Sequence, residues 1–232
     1  IGITGVGSGS LAGTILINDD GGTGTIDNAY YNTGIGYECF DDLTSGDANT
    51  GMGFQAFYKL TSGGGNTAIG YESLAKMTTA NNNTAVGRNS LYENLSGYNN
   101  TALGYDAGGQ ITTGHSNIAI GYDSADGVTS GSATISIGAG SKPDATSTYQ
   151  TVIGHALHGL GGNSFTIGKD NGSDRVYNVF TSNASWTRVS DERYKENITP
   201  NTDCGLAFIN DLNPVTFTWK ARADIDKSLP DY

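Results

Sequence analysis

The densest charge in the chain lies in "SDERYKENI", Ser190 to Ile198, where Asp191, Glu192, Arg193, Lys195 and Glu196 stand close together. The chain as a whole is poor in charge, at 15% Asp, Glu, Lys and Arg combined. Read alone, such a cluster is a solvated, salt-bridged collar. The other candidates for chemistry are scattered. His115, His155 and His158 have no Cys or acidic neighbours at metal-ligand spacing, and Cys39 and Cys204 fit no CxxC pattern and read as isolated thiols. Asp19 with Asp20, Asp41 with Asp42, and Asp123 with Asp126 could offer oxygens to calcium. They follow neither an EF-hand nor a nonapeptide calcium pattern, so they read as solvated turn acids. No carboxylate pair stands out as a glycosidase dyad. The expectation is a chain with no metal site and no cofactor.

Composition narrows the function classes. A formal net charge of −11 argues against a nucleic-acid surface, which needs Lys and Arg gathered on one face. There is no run of 18 apolar residues, so membrane insertion is not expected. With 35 Gly and only 4 Pro, the chain points to many tight turns between short strands. Its first residues, "IGITGVGSGS", lack an initiator Met and a basic n-region. They are expected to be the interior of a longer chain and not a signal peptide.

What must position any site is a repeat. "NTGIGYECF" at 32, "NTGMGFQAF" at 49, "NTAIGYESL" at 66 and "NTAVGRNSL" at 83 are successive copies. "NTALGYDAG" at 100, "NIAIGYDSA" at 117 and "TISIGAGSK" at 134 continue the register, each start 17 residues after the last. Looser copies, "TVIGHAL" from Thr151 and "FTIGKDN" from Phe165, follow at shorter spacing. An aliphatic column stands before each glycine: Ile35, Met52, Ile69, Val86, Leu103, Ile120, Ile137, Ile153 and Ile167. The position before that is small in the seven regular copies, from Gly34 and Gly51 to Ala119 and Ser136. In a strand the two columns face opposite sides. We expect the aliphatic column to be the interior ladder and the small column to admit another backbone. The glycines Gly36, Gly53, Gly70, Gly87, Gly104, Gly121 and Gly138 fit a corner that excludes a Cβ. Phe40, Phe57, Leu74 and Leu91, then Leu43, Leu60, Met77 and Ile111, supply further apolar positions. Each unit is thus predicted to be two short strands joined by polar turns, one coil of a β-solenoid. Nine coils would stack to roughly 43 Å at about 4.8 Å per coil. So thin a column buries little apolar surface, which favours bundling through its small-residue face. Tyr37, Phe54, Tyr71, Tyr105 and Tyr122 form a column after the glycine, read as a packing ladder, with sugar stacking as the other use.

The "NTAIGYESL" units resemble the head repeats of trimeric autotransporter adhesins and similar repeats of viral and phage fibres. The resemblance covers about residues 32 to 170. It implies a mainly β chain built as a left-handed parallel β-roll, three chains about one axis. Beyond Gly168 the period stops, and "NGSDRVYNVFTSNASWTRV" reads as a strand-rich neck with Val176, Phe180, Trp186 and Val189. Further on, Leu206, Ile209 and Leu212 recur at helical spacing behind Thr202 or Asp203 as N-cap, and Asn213-Pro214 ends that helix. Val215, Phe217 and Trp219 then alternate as a strand.

"SDERYKENI" with "GLAFINDLNPVTFTWK" closely resembles the start of the endosialidase-type intramolecular chaperone domain found at the end of phage tail fibres and tailspikes. The resemblance covers residues 190 to 232, the beginning of a normally longer domain. It implies that the segment trimerises, guides folding of the fibre and then cuts itself off. By position it implies Ser190 as nucleophile and Lys195 as base, with cleavage on the N-terminal side of Ser190. A Ser hydroxyl needs such a base, and Lys serves when burial depresses its pKa. Because the chain runs on to Tyr232, retention of the segment is the expectation.

The organisation expected is 1–31 as an N-terminal β segment, 32–170 as β-roll repeats, 171–189 as neck and 190–232 as the start of the chaperone. The function expected is a homotrimeric, virion-borne bacteriophage tail fibre that binds a host cell-surface receptor, a glycan among the candidates, beside other virion tail proteins. A bacterial trimeric surface adhesin head at the cell surface, or the non-catalytic part of a tailspike depolymerase, are the alternatives. No turnover enzyme is expected beyond single-turnover self-cleavage next to Ser190.

Overall fold

The structure is a computed structural model. It describes residues 28–169 and 174–181 in full, and the backbone of the strands at 2–4, 15–18 and 187–188. The chain divides into two units, Ile1–Asp191 and Glu192–Tyr232. The described residues all belong to the first and contain no α-helix. The helix expected around Leu206 to Leu212, the strand of Val215 to Trp219, Trp186, Val189, Cys204, Ser190 and Lys195 lie outside the described residues.

The first unit is a parallel β-solenoid. Its strands are β1 (Gly2–Thr4), β2 (Ile15–Asn18), β3 (Thr33–Ile35), β4 (Thr50–Met52), β5 (Thr67–Ile69), β6 (Thr84–Val86) and β7 (Thr101–Leu103). Then come β8 (Ile118–Ile120), β9 (Ile135–Ile137), β10 (Gln150–His155), β11 (Ser164–Lys169), β12 (Arg175–Val179) and β13 (Thr187–Arg188). They lie in one sheet in sequence order. From β2 to β11 every neighbouring pair is parallel, with Ile35 beside Met52, Met52 beside Ile69, and so on to Ile153 beside Ile167. At both ends the pairing turns antiparallel, β1 on β2 and β11 on β12 on β13. Such reversals cover a parallel edge that would otherwise offer unpaired N–H and C=O groups.

Two expectations are corrected. The small column, not the aliphatic one, faces inward: Ala68, Ala85, Ala102 and Ser136 are fully buried. The aliphatic column faces out, with Ile35 at 39%, Met52 at 47% and Leu103 at 49% exposure. Strand alternation says that two columns oppose each other but not which is inside. Here the interior is already filled from the other side of the coil by Phe57, Leu60, Leu74, Met77, Leu91, Ile111 and Val128, all buried. A Cβ on Gly51 would meet Cys39 Sγ at 2.8 Å and Phe40 Cε2 at 2.9 Å, so only small residues fit on the strand facing these side chains. Bundling through the small-residue face is therefore excluded for this chain; that face is the coil's own core.

The second correction concerns the rest of each coil. From β3 to β9 the regular coils contain one three-residue strand each, not two. The opposite limb is a stack of turns, because two positions in it take positive φ: Gln55 and Phe57 at 52° and 58°, Glu72 and Leu74 at 51° and 52°. Alternating left-handed residues cannot continue a pleated strand. The turn limbs still hydrogen-bond coil to coil, Phe57 N–H to Ser73 C=O at 3.1 Å and Leu74 N–H to Ser90 C=O at 3.1 Å. A bulky residue with positive φ is strained, and burial of Phe57 and Leu74 in the core offsets that cost.

The corner between the limbs is the repeat glycine. Gly70 has φ +141° and Gly87 +135°, and a Cβ on Gly87 would lie 2.2 Å from the Gly104 carbonyl oxygen of the next coil. No side chain can occupy that space.

Candidate functional site

The core holds a column that sequence reading passed over. Asn32, Asn49, Asn66, Asn83, Asn100 and Asn117 are all buried. Each Oδ1 accepts the backbone N–H of the next Asn, at 2.8 to 3.0 Å. Each Nδ2 donates within its own coil to the carbonyl of Gly46, Gly63, Ala80, Gly97, Gly114 or Gly131, at 2.7 to 2.9 Å. The column ends at Thr134, whose N–H donates to Asn117 Oδ1 at 3.0 Å but whose hydroxyl finds no partner. A buried amide is tolerated only when satisfied, and the stack satisfies every one of these amides, leaving only the Thr134 hydroxyl at its end without a partner. The signal was present: Asn opens six copies in the same register.

With polar and small groups inside, the outward face of the sheet is the unusual surface. Its two columns are the first and third residue of every strand. The third is aliphatic throughout, Ile35 to Ile167. The first is Thr33, Thr50, Thr67, Thr84 and Thr101, then Ile118 and Ile135, and in the longer strands Thr151 and Phe165. Ile69 and Ile118 are each 36% exposed and Ile167 43%. A continuous apolar stripe of this length marks a contact surface.

One edge of that face is an aromatic rim just after the glycine corner. Tyr37 stacks on Phe54 at 5.5 Å between centroids, Phe54 on Tyr71 at 4.9 Å, and Tyr105 on Tyr122 at 5.4 Å. Where the column lacks an aromatic, the Arg88 guanidinium bridges Tyr71 and Tyr105 at 5.2 and 5.6 Å. Rings stacked face to face turn their edges outward. A sugar that stacks needs a free ring face, so the inner members of this rim act as packing.

The remaining candidates are placed as follows. Cys39 is buried in the core, and desolvation pushes its thiol up to about 12, so it stays protonated. Asp42 pairs with Lys59 at 3.1 Å, and Asp126 pairs with Lys142 and accepts from Gln110 Nε2 at 2.6 Å. Burial, then neighbouring carboxylates, raises the pKa of Asp106 and Asp123. Among the described residues no group of three or more His, Cys, Asp or Glu could hold a metal ion, and no helix is long and apolar enough to cross a membrane. His115 stacks on Tyr98 at 4.7 Å; His155 and His158 are exposed and lie in the later coils. Asp19 and Asp20 lie outside the described residues.

Fold and surface together define a parallel β-solenoid with an apolar outward sheet face. Residues 190–229, which follow the solenoid in sequence, match the family model described as the chaperone of endosialidase. Comparison with curated proteins and with solved structures finds no match.

Proposed function

We propose that the protein is a homotrimeric fibre segment of a bacteriophage tail fibre or tailspike, carried on the virion and used in attachment to a host surface. The observation that carries this reading is the in-register aliphatic stripe from Ile35 to Ile167 upstream of a chaperone segment. In water the stripe costs free energy; covered by copies of itself it contributes to association. The cell-surface adhesin reading shares the repeats but has no use for the segment at 190–229. In the trimer, 32–170 forms the roll, 171–189 the neck and 190–232 the start of the chaperone, with Ser190 and Lys195 as the self-cleavage pair.

In that step Ser190 Oγ adds to the Val189 carbonyl carbon while the neutral Lys195 amine takes the hydroxyl proton. The Val189–Ser190 C–N bond breaks, the proton passes to the departing Ser190 nitrogen, and an ester remains. Water then hydrolyses the ester to a Val189 carboxylate and the Ser190 hydroxyl. Sedimentation equilibrium of the full chain tests the assembly: a mass of three chains supports it, and a monomer at all concentrations overturns it. Intact mass beside Ser190→Ala tests the cleavage, where two masses that differ only by the oxygen atom of the substitution would remove self-cleavage from the proposal. Competition of the purified chain with whole-virion adsorption tests attachment.

A further inference from the structure

The outward sheet face is not uniform along its length. In β3 to β7 it alternates a threonine with one aliphatic side chain per rung. In β8 and β9 both outward positions are isoleucine, Ile118 with Ile120 and Ile135 with Ile137. In the same registers β10 has Thr151 with Ile153 and β11 has Phe165 with Ile167, and Val176 of β12 pairs with Ile167. The apolar content per rung therefore doubles at β8. Nothing inside the coil accounts for the change, because the inward residue stays small from Ala102 to Ala119 to Ser136.

The repeat identifies what covers this face. Its apolar groups recur once per rung along a line, at about the 4.8 Å strand spacing. A partner able to match every rung needs the same rise, and the solution nearest to hand is another copy of the same stack. Burying threonine hydroxyls against such a partner requires them to keep water or find hydrogen bonds. Burying isoleucine requires neither and removes more apolar area from water. The two stretches therefore hold copies together unequally.

We propose that the outward face is two interfaces in series: a mainly apolar clamp over β8–β11, interrupted only by Thr151, that holds the copies together, and a threonine-lined stretch over β3–β7 that closes onto it. This rests on the homotrimer reading above. Association is set by the rungs nearest in sequence to the chaperone segment, and the early coils follow them in register.

The test uses the full chain and two matched double variants, each replacing two outward aliphatic residues by threonine. Ile118→Thr with Ile135→Thr alters the clamp, and Met52→Thr with Ile69→Thr alters the early coils. A third variant, Thr67→Ile with Thr84→Ile, extends the clamp pattern upstream. The fraction of trimer is followed by cross-linking across a guanidinium titration. Both remove a similar apolar area, but the clamp variant is expected to weaken association at least about tenfold more than the early-coil variant, because it takes that area from the rungs that set association. The extended variant is expected to shift the dissociation midpoint above wild type. Equal or larger loss in the early-coil variant overturns the proposal, as does a lowered midpoint in the extended one. A wild-type chain that is monomeric throughout overturns the trimer reading itself, which is a distinct result.

Discussion

The two limbs of a regular coil obey opposite rules. In the turn limb apolar side chains such as Phe57, Leu60 and Leu74 are buried, and charged ones such as Lys59 and Lys76 reach solvent. In the strand limb the buried residues are Asn, Ala, Gly and Ser, and the exposed ones include Ile35, Met52, Ile69 and Leu103. One limb is finished as a monomer surface; the other is not. The contrast teaches that a thin solenoid is filled from one side only. A 17-residue coil has room for a single layer of large side chains, and the turn limb supplies it. The strand limb then has its small residues inside, and its aliphatic residues are left for contacts outside the coil.

The largest expected effect comes from breaking the corner that joins the limbs. Gly87→Val places a branched side chain where even a Cβ would sit 2.2 Å from the Gly104 carbonyl oxygen. A loss of roughly 4 kcal/mol or more is expected, read as failure to reach wild-type far-UV circular dichroism. A wild-type urea midpoint would show that the corner does not depend on glycine.

Next is a matched pair across the limbs. Leu74→Ala, which opens the core, should lower the unfolding free energy by about 2–5 kcal/mol. Ile69→Ala removes an outward side chain and should instead shift the concentration dependence of the melting midpoint. If both behave as core deletions in dilute protein, the inversion of the strand limb is wrong.

Asn83→Ala tests whether the polar interior is structural. It orphans the Asn100 N–H and removes the Nδ2 bonds to Gly97 and Asn66. A loss of about 2–3 kcal/mol is expected, since unpaired buried groups keep their desolvation cost. Chemical denaturation monitored by intrinsic fluorescence checks it, and a neutral result would contradict the ladder's role.

The smallest effect is electrostatic. Asp123 has its pKa raised above the ordinary 3.8 by burial, then by Asp126 and Asp106. The folded chain therefore holds that proton more tightly than the unfolded one. Stability is gained below the unfolded value and lost as pH rises through the raised folded value. Asp123→Asn should raise the melting midpoint at pH 7 by about 1 °C and remove the gain seen on acidification. A midpoint lowered at pH 7 would reverse the assigned sign.

Much of this was legible in the residues. The 17-residue register places each regular rung, and every repeat glycine turns out to be a corner. The inside-out assignment was missed, although a clue lay in the same copies. Gly34 accompanies Phe40 and Gly51 accompanies Phe57, whereas Ala68 accompanies Leu74 and Ala85 accompanies Leu91. A smaller residue on one limb with a larger one on the other means that the two share a cavity. The turn limb was read as a strand because Phe and Leu give no local sign of positive φ; only packing holds them there. For residues 190–229 the motif itself was the signal, and the family model described as the chaperone of endosialidase matches the same residues.

What the sequence by itself determined is periodicity: the rung spacing, the corner glycines, the end of the repeat after Gly168 and the change of character at Ser190. These follow from residue type recurring at fixed separation, which needs no knowledge of the third dimension. Tertiary structure decided orientation. Two opposed columns are equivalent along a strand until the opposite limb fills the interior. The finite volume of the coil then sends asparagine and alanine inward and leaves the aliphatic ladder on the outside.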